Sequence, residues 1–131
     1  MVFGTFDILH PGHLNFFKQA KKLGNFLLIV VARDRYVKKA KSKHPMNNEK
    51  LRIKNVRKAK AAAKVILGSS THNFFRTIRT HSVNIIALGY DQKPKVSELK
   101  KQLRRHRLGG VKVVRLRPFK PNLYKSSLLV K

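Results

Sequence analysis

At 131 residues and 42% hydrophobic content, the chain suits one domain burying about two-thirds of its unfolded surface, and it is too apolar for a disordered tail. Its 31 Lys and Arg stand against 5 Asp and Glu, a formal charge of +26, which attracts phosphates and nucleic acid and repels itself when unscreened. The absence of cysteine excludes disulfides, iron–sulfur clusters and thiolate metal sites, and the longest apolar run, 26–32, is too short to cross a bilayer.

Val2 to Thr5 is the first predicted strand. It leads into Gly4-Thr5-Phe6-Asp7-Ile8-Leu9-His10-Pro11-Gly12-His13, a glycine-containing turn followed by two histidines three residues apart. Pro11 falls where a first helical residue would sit, since its missing N–H costs nothing there. A helix start carries amides without intrahelical partners and the positive end of the helix dipole, so it suits an anion, above all phosphate. Gly12 lets that anion approach the main chain, and the imidazoles of His10 and His13 add N–H donors. Zinc is a poorer reading, because neither a cysteine nor a third histidine lies nearby.

Leu14, Phe17, Ala20 and Leu23 recur at helical spacing, with Gly24 as the stop. Phe26 to Ala32 is a continuous apolar run, as in a central parallel strand buried on both faces. A lysine-rich loop is expected after Val31-Ala32-Arg33-Asp34. Asn48 can cap a helix that turns Ile53, Val56 and Ala59 inward. Val65 to Leu67 makes a third strand, and Thr71 can cap a helix holding Phe74, Phe75 and Ile78 in the core. Val83 to Leu88 is the fourth strand. Val96, Leu99 and Leu103 line a helix stopped by Gly109-Gly110. Val111 to Leu116 alternates with Lys112 and Arg115, so it reads as an edge strand. This alternation predicts an α/β fold: a doubly wound, Rossmann-like parallel five-stranded sheet ordered 3-2-1-4-5, in a single domain 1–131. The functional site is expected at the carboxyl ends of the strands, near the switch point.

The stretch from Gly4 to His13 resembles the HxGH signature of the nucleotidyltransferase superfamily that includes cytidylyltransferases. The likeness continues through Val31-Ala32-Arg33-Asp34, Asn48-Glu49-Lys50-Leu51-Arg52, Ala87-Leu88-Gly89-Tyr90-Asp91-Gln92 and Lys125-Ser126-Ser127, in the family's order and spacing. Ala-Arg-Asp after the second strand and Gly-Tyr-Asp-Gln after the fourth are most similar to the archaeal-type FAD synthetases. Four of the five acids, Asp7, Asp34, Glu49 and Asp91, sit in these motifs; only Glu98 does not.

The resemblance implies transfer of a nucleotidyl group from a nucleoside triphosphate to a phosphate monoester, with release of pyrophosphate. ATP is favoured over CTP and FMN is the favoured acceptor, giving FAD. The alternative within the class is a CTP-dependent cytidylyltransferase acting on glycerol 3-phosphate or a similar alcohol phosphate. It further implies that His10, His13 and Lys41 act in catalysis, Lys41 from a loop reaching the acceptor or the α-phosphate. The turn of Gly4, Thr5, Phe6, Asp7 and Gly12 binds the nucleotide, and Asp7 fixes that turn and helps to place a magnesium ion through the phosphates. Gly89, Tyr90 and Asp91 receive the nucleoside, Asp91 through a sugar hydroxyl or a base amino group. Ser126 and Ser127 close over the β- and γ-phosphates, with helix capping as their alternative. Mg2+ or another divalent cation is expected through the nucleotide phosphates, with no metal held by protein ligands. Asp34 has a capping or loop role as its alternative. Arg52 holds either a phosphate or an ion pair with Glu49.

Relatives of this kind are commonly dimers, so a homodimer is an expectation. No basic stretch followed by a long apolar core appears after Met1, so the expected location is cytoplasmic, with no membrane partner. From another class, the charge alone is compatible with a basic nucleic-acid-binding protein, or with non-specific nucleic-acid binding beside the enzymatic role.

Overall fold

The computed structural model describes residues 1–41, 46–69 and 73–118. Strands and helices alternate as β1 (Val2–Gly4), α1 (Pro11–Lys21), β2 (Leu28–Val31), α2 (Asp34–Lys41), α3 (Glu49–Lys58), β3 (Lys64–Leu67), α4 (Phe74–Thr80), β4 (Ile85–Leu88), α5 (Val96–Arg105) and β5 (Lys112–Arg115). All described strand pairings are parallel, with β2 between β1 and β3, and β4 beside β5.

The four residues of β2 are all buried, because helices cover both faces. Ile29 and Val31 join Val2, Phe17, Ala20 and Val56 on the side of α1 and α3. Leu28 and Val30 join Ile78, Ile86, Leu88, Leu99 and Leu103 on the side of α4 and α5. Each such side chain removed from water contributes about 1.5–3 kcal/mol, so this central strand anchors both layers.

Where a single sheet of five strands is expected, the described strands pair in ladders of three and two. Between β1 and β4 the Met1 nitrogen donates to the Ile85 carbonyl at 2.7 Å, and the Ala87 amide donates to the Met1 carbonyl at 3.0 Å. In a parallel register the next bond accepted by this edge of β1 would run from the Gly89 amide to the Phe3 carbonyl. The Gln92 side chain takes both groups instead: Gly89 N donates to Gln92 Oε1 at 3.0 Å and Gln92 Nε2 donates to Phe3 O at 2.6 Å. The ladders part at the strand ends because a carboxamide stands between them. Both hydrophobic cores nevertheless run under both ladders, since Ala87 and Val114 belong to one and Ile86 and Val113 to the other.

Other expectations change in detail. The lysine-rich stretch expected as a loop is helix α2 up to Lys41, with Val37 buried. Phe26 lies outside β2 and is 64% exposed, and Leu14, expected on the inner helix face, is 47% exposed. Asn73 caps α4, its Oδ1 accepting from the Arg76 amide at 3.0 Å, and Thr71 lies outside the described residues. Phe74 and Phe75, expected in the core, are only half-buried. The stop predicted at Gly109-Gly110 gives way to Arg107 at positive φ after α5, and Lys60 after α3 and Ser82 after α4 adopt the same conformation; no described glycine, Gly24 included, has a positive φ. At the last two the chain closes a Schellman turn, Val83 N to Ile78 O at 3.0 Å and Leu108 N to Leu103 O at 2.7 Å.

Candidate active site

The turn after β1 is set by a close packing contact. Phe6 adopts φ 51, a left-handed conformation that an aromatic residue reaches only when its surroundings over-determine it. Its ring lies over Gly4, where an added Cβ would come within 2.9 Å of the Phe6 ring, so that position requires glycine. The same ring meets Phe17 at 5.1 Å and His13 edge-on at 5.5 Å between centroids.

His10 and His13 converge. Their rings stack at 3.9 Å with an interplanar angle of 27°, both half-buried at the start of α1. His10 is the helix N-cap, and its Nδ1 accepts from the Gly12 amide at 3.1 Å. Accepting at Nδ1 places the proton of the neutral ring on Nε2. Burial lowers the His10 pKa below its ordinary value of 6.5, which favours that neutral form. The helix start therefore offers less main chain than expected: Pro11 has no N–H and the Gly12 amide is occupied by His10. No acid stands in the first turn of α1 to compete with an anionic ligand.

Asp7 fixes its turn, and more. Its carboxylate accepts from the Met46 and Asn47 amides, each at 2.8 Å, and Asn47 Nδ2 donates to its carbonyl at 2.7 Å. These bonds tie the first turn to the approach of α3. Asp34 begins α2. It exchanges bonds with Glu49 at the start of α3: Asp34 N donates to Glu49 Oε1 at 3.1 Å and Glu49 N to Asp34 Oδ2 at 3.0 Å. Each carboxylate thus caps the other's helix.

Arg52 is fully buried and pairs with Asp34, which corrects the expected ion pair with Glu49. Its NH2 donates to Asp34 Oδ1 at 2.6 Å, its NH1 to Thr5 O at 2.8 Å and its Nε to Asn47 O at 3.1 Å. A guanidinium that joins three loops in this way is committed to structure, and a phosphate-binding role for it is corrected too. Glu49 lies 3.6 Å from Arg33 instead.

The loop after β4 carries Gly89, Tyr90 and Asp91. An alanine Cβ at Gly89 would find only ordinary contacts of 3.7 Å or more, so the protein's own packing does not require glycine there. Arg115, read from the sequence as a solvent-facing edge residue, holds this loop: its NH1 donates to Gly89 O at 2.8 Å and its NH2 to Pro94 O at 3.2 Å. Nothing in an alternating strand marks such a residue, because the loop it grips is 21–26 residues away in sequence. Gln92, quoted within a motif, has no sequence signal for its place between the strands. Lys41 is the last residue of α2 rather than a loop lysine; its side chain, and Ser126 and Ser127 altogether, lie outside the described residues. Among the described residues, no group of three or more His, Cys, Asp or Glu could hold a metal ion, and no helix is long and apolar enough to cross a membrane.

The Cytidylyltransferase-like family model matches residues 1–131. The chain is 41% identical to the FAD synthase of Aciduliprofundum boonei, over 91% of this chain and 78% of that protein. It is 44% identical to the FAD synthase of Methanothermobacter thermautotrophicus, over 83% and 73%. Among solved structures, the lipopolysaccharide core biosynthesis protein of Thermoplasma volcanium superposes with a TM-score of 0.85 at 36% identity, covering 92% of this chain and 96% of that one. With the paired histidines at the head of α1 and the glycine loop after β4, these likenesses leave one assignment: the chain belongs to the cytidylyltransferase-like family.

Proposed function

We propose that this protein is a nucleotidyltransferase that joins the AMP moiety of ATP to FMN, forming FAD and pyrophosphate, and that residues 1–131 act as one domain. The stacked His10–His13 pair, in a chain 41–44% identical to proteins named FAD synthase, carries the reading. The two ladders then work as one sheet in the order 3-2-1-4-5, with substrates in the crevice where Gln92 parts β1 from β4.

The FMN phosphate is mostly dianionic near neutral pH, so its oxygen needs no general base. That oxygen attacks the α-phosphorus of ATP in line, a new P–O bond forms, and the bond to the β-phosphate bridging oxygen breaks. Pyrophosphate leaves with the electron pair. What the protein supplies is alignment and cancellation of negative charge. His10, neutral and protonated on Nε2, donates to a triphosphate oxygen; His13 beside it is the second donor. Gly4, Thr5, Phe6, Asp7 and Gly12 shape the turn under the phosphates. Gly89, Tyr90 and Asp91 receive the nucleoside; for Lys41, Ser126 and Ser127 the family resemblance alone supports a role at the phosphates. The divalent cation enters as MgATP, held by the phosphates: the Asp7 carboxylate oxygens are already bonded to Met46 and Asn47.

The test is a purified-protein assay with ATP or CTP, each with FMN or glycerol 3-phosphate, following pyrophosphate release and FAD by chromatography. FAD from ATP and FMN alone is the expected result. Turnover confined to CTP would remove the assignment. Tight RNA or DNA binding that survives physiological salt, without turnover, would move the function to nucleic acid, since counterion-release binding fades steeply with salt.

A further inference from the structure

Two cavities stand out. One, of about 480 Å3, opens at the amino ends of the strands beside Met1, Leu28 and Asn84, away from the histidines. The other, of about 630 Å3, is lined by Phe3, Phe74, Phe75, Leu99 and Pro94, with the amide side chains of Asn73 and Gln102. Phe3 precedes Gly4 of the histidine turn, and strand alternation sends its side chain to the face opposite α1. Unlike the four residues of the neighbouring β2, it is only half-buried, because the cavity leaves its ring partly uncovered. Phe74 meets Phe3 edge-on at 4.9 Å and Phe75 at 5.6 Å between centroids.

The cavity joins the candidate active site at two points. Pro94, at its rim, belongs to the loop that Arg115 grips together with Gly89. Phe3, which also lines it, accepts from Gln92 at the parting of β1 and β4. The cavity and the histidine turn thus flank one strand, with Phe3 lining the first and Gly4 opening the second.

We propose that this cavity binds the isoalloxazine ring of the flavin acceptor, so that the acceptor straddles β1 with its phosphate on the histidine side and its ring on the α4–α5 side. The volume falls in the range of small-molecule sites, about 300–1,000 Å3. Phenylalanine rings match a flat aromatic ligand through stacked and edge-on contacts. Gln102 offers a carboxamide to the ring's alternating N–H and C=O edge, and Asn73 offers its Nδ2, the Oδ1 being held by the Arg76 amide. A small alcohol phosphate would leave the aromatic lining without a partner. The inference rests on the flavin reading above and assigns the part of the acceptor that the histidines do not touch.

Gln102 is exposed on α5, so Gln102→Trp can fill the cavity mouth from the surface, and Phe74→Ala removes an aromatic wall. Riboflavin, which has the ring but no phosphate, is titrated against the wild type and both variants by quenching of its fluorescence, and KM for FMN and ATP is measured in parallel. The expected result is riboflavin binding by the wild type, an about tenfold lower riboflavin affinity and an about tenfold higher KM for FMN in folded Gln102→Trp, and an ATP KM unchanged within about twofold. A folded Gln102→Trp that makes FAD with wild-type KM for FMN and wild-type riboflavin affinity would overturn the cavity assignment and leave the reaction standing. Riboflavin binding sensitive to Gln102→Trp, in a protein that makes no FAD, would support the ring site and sink the reaction.

Discussion

The Gln92 carboxamide reaches across the end of the sheet to the Phe3 carbonyl, 89 residues away, at 2.6 Å, while its oxygen accepts from the Gly89 amide, three residues earlier in the same loop, at 3.0 Å. One side chain thereby satisfies the two main-chain groups that would otherwise bond to each other. The Gly89 loop is thereby tied to the strand that leads into the histidine turn.

Gln92→Ala should leave both groups without their protein partner and cost about 1–2 kcal/mol, read as a lower urea midpoint. Gln92→Glu separates the two bonds, since an ionised carboxylate can accept from Gly89 but cannot donate to Phe3. Its ATP KM should rise even where its stability recovers above that of Gln92→Ala. Equal KM values for all three proteins would show that nucleotide binding does not depend on this residue.

Arg52 holds the Thr5, Asn47 and Asp34 loops in one place. Arg52→Met should lower stability by about 3 kcal/mol by unpairing buried acceptors, and should slow turnover through the displaced Thr5 turn. Arg52→Lys recovers only part, because one ammonium cannot match three fixed directions. Unfolding curves and kcat for the two variants check this. A Lys variant equal to wild type in both would contradict the geometry.

His10 supplies a pH dependence with a definite sign. Its folded pKa lies below the ordinary 6.5, so over the interval between the two the unfolded chain binds more protons than the folded one. Stability contributed by this group is therefore complete above that ordinary value and declines as pH falls through the lowered folded value. Protonating Nδ1 also ends its bond with the Gly12 amide. Thermal unfolding from about pH 7 to about pH 5 should show this component in the wild type and lose it in His10→Asn, which keeps a capping oxygen but does not titrate.

Gly89→Ala isolates the nucleoside loop. With no contact closer than 3.7 Å awaiting the added methyl, the variant should fold with an unchanged melting temperature. Its ATP KM should rise about tenfold or more if the base or ribose approaches the main chain there. Unaltered kinetics would move the nucleoside away from this glycine.

Arg107 terminates α5 at φ 60, at a position that glycine fills without steric cost. Arg107→Gly should stabilise the protein by about 1 kcal/mol and raise Tm, with activity unaffected. A lower Tm would mean that the arginine side chain contributes more than the backbone strain removes.

Much of this was legible in the linear chain. The apolar run around Ile29 and Val31 announced a strand buried on both faces, and the capping residue at Asn48 announced α3, because these signals depend on near neighbours alone. The histidine pair was legible for the same reason: three residues separate the rings, and Pro11 fixes the helix start between them. Helix α2 was hidden, since Lys38, Lys39 and Lys41 mask the short apolar spacing around Val37.

The sequence by itself therefore determined the alternation of strands and helices, the turn that carries His10 and His13, and the positions of the few acids. Only the tertiary structure decided what those acids and bases hold: Arg52 with Asp34 rather than Glu49, Asp7 with Met46 and Asn47, Arg115 on the loop of Gly89, and Gln92 between two strands. The physical reason is range. Helix and strand signals act over a few residues of covalent chain, whereas a buried hydrogen bond chooses its partner by where the packed cores bring distant loops together.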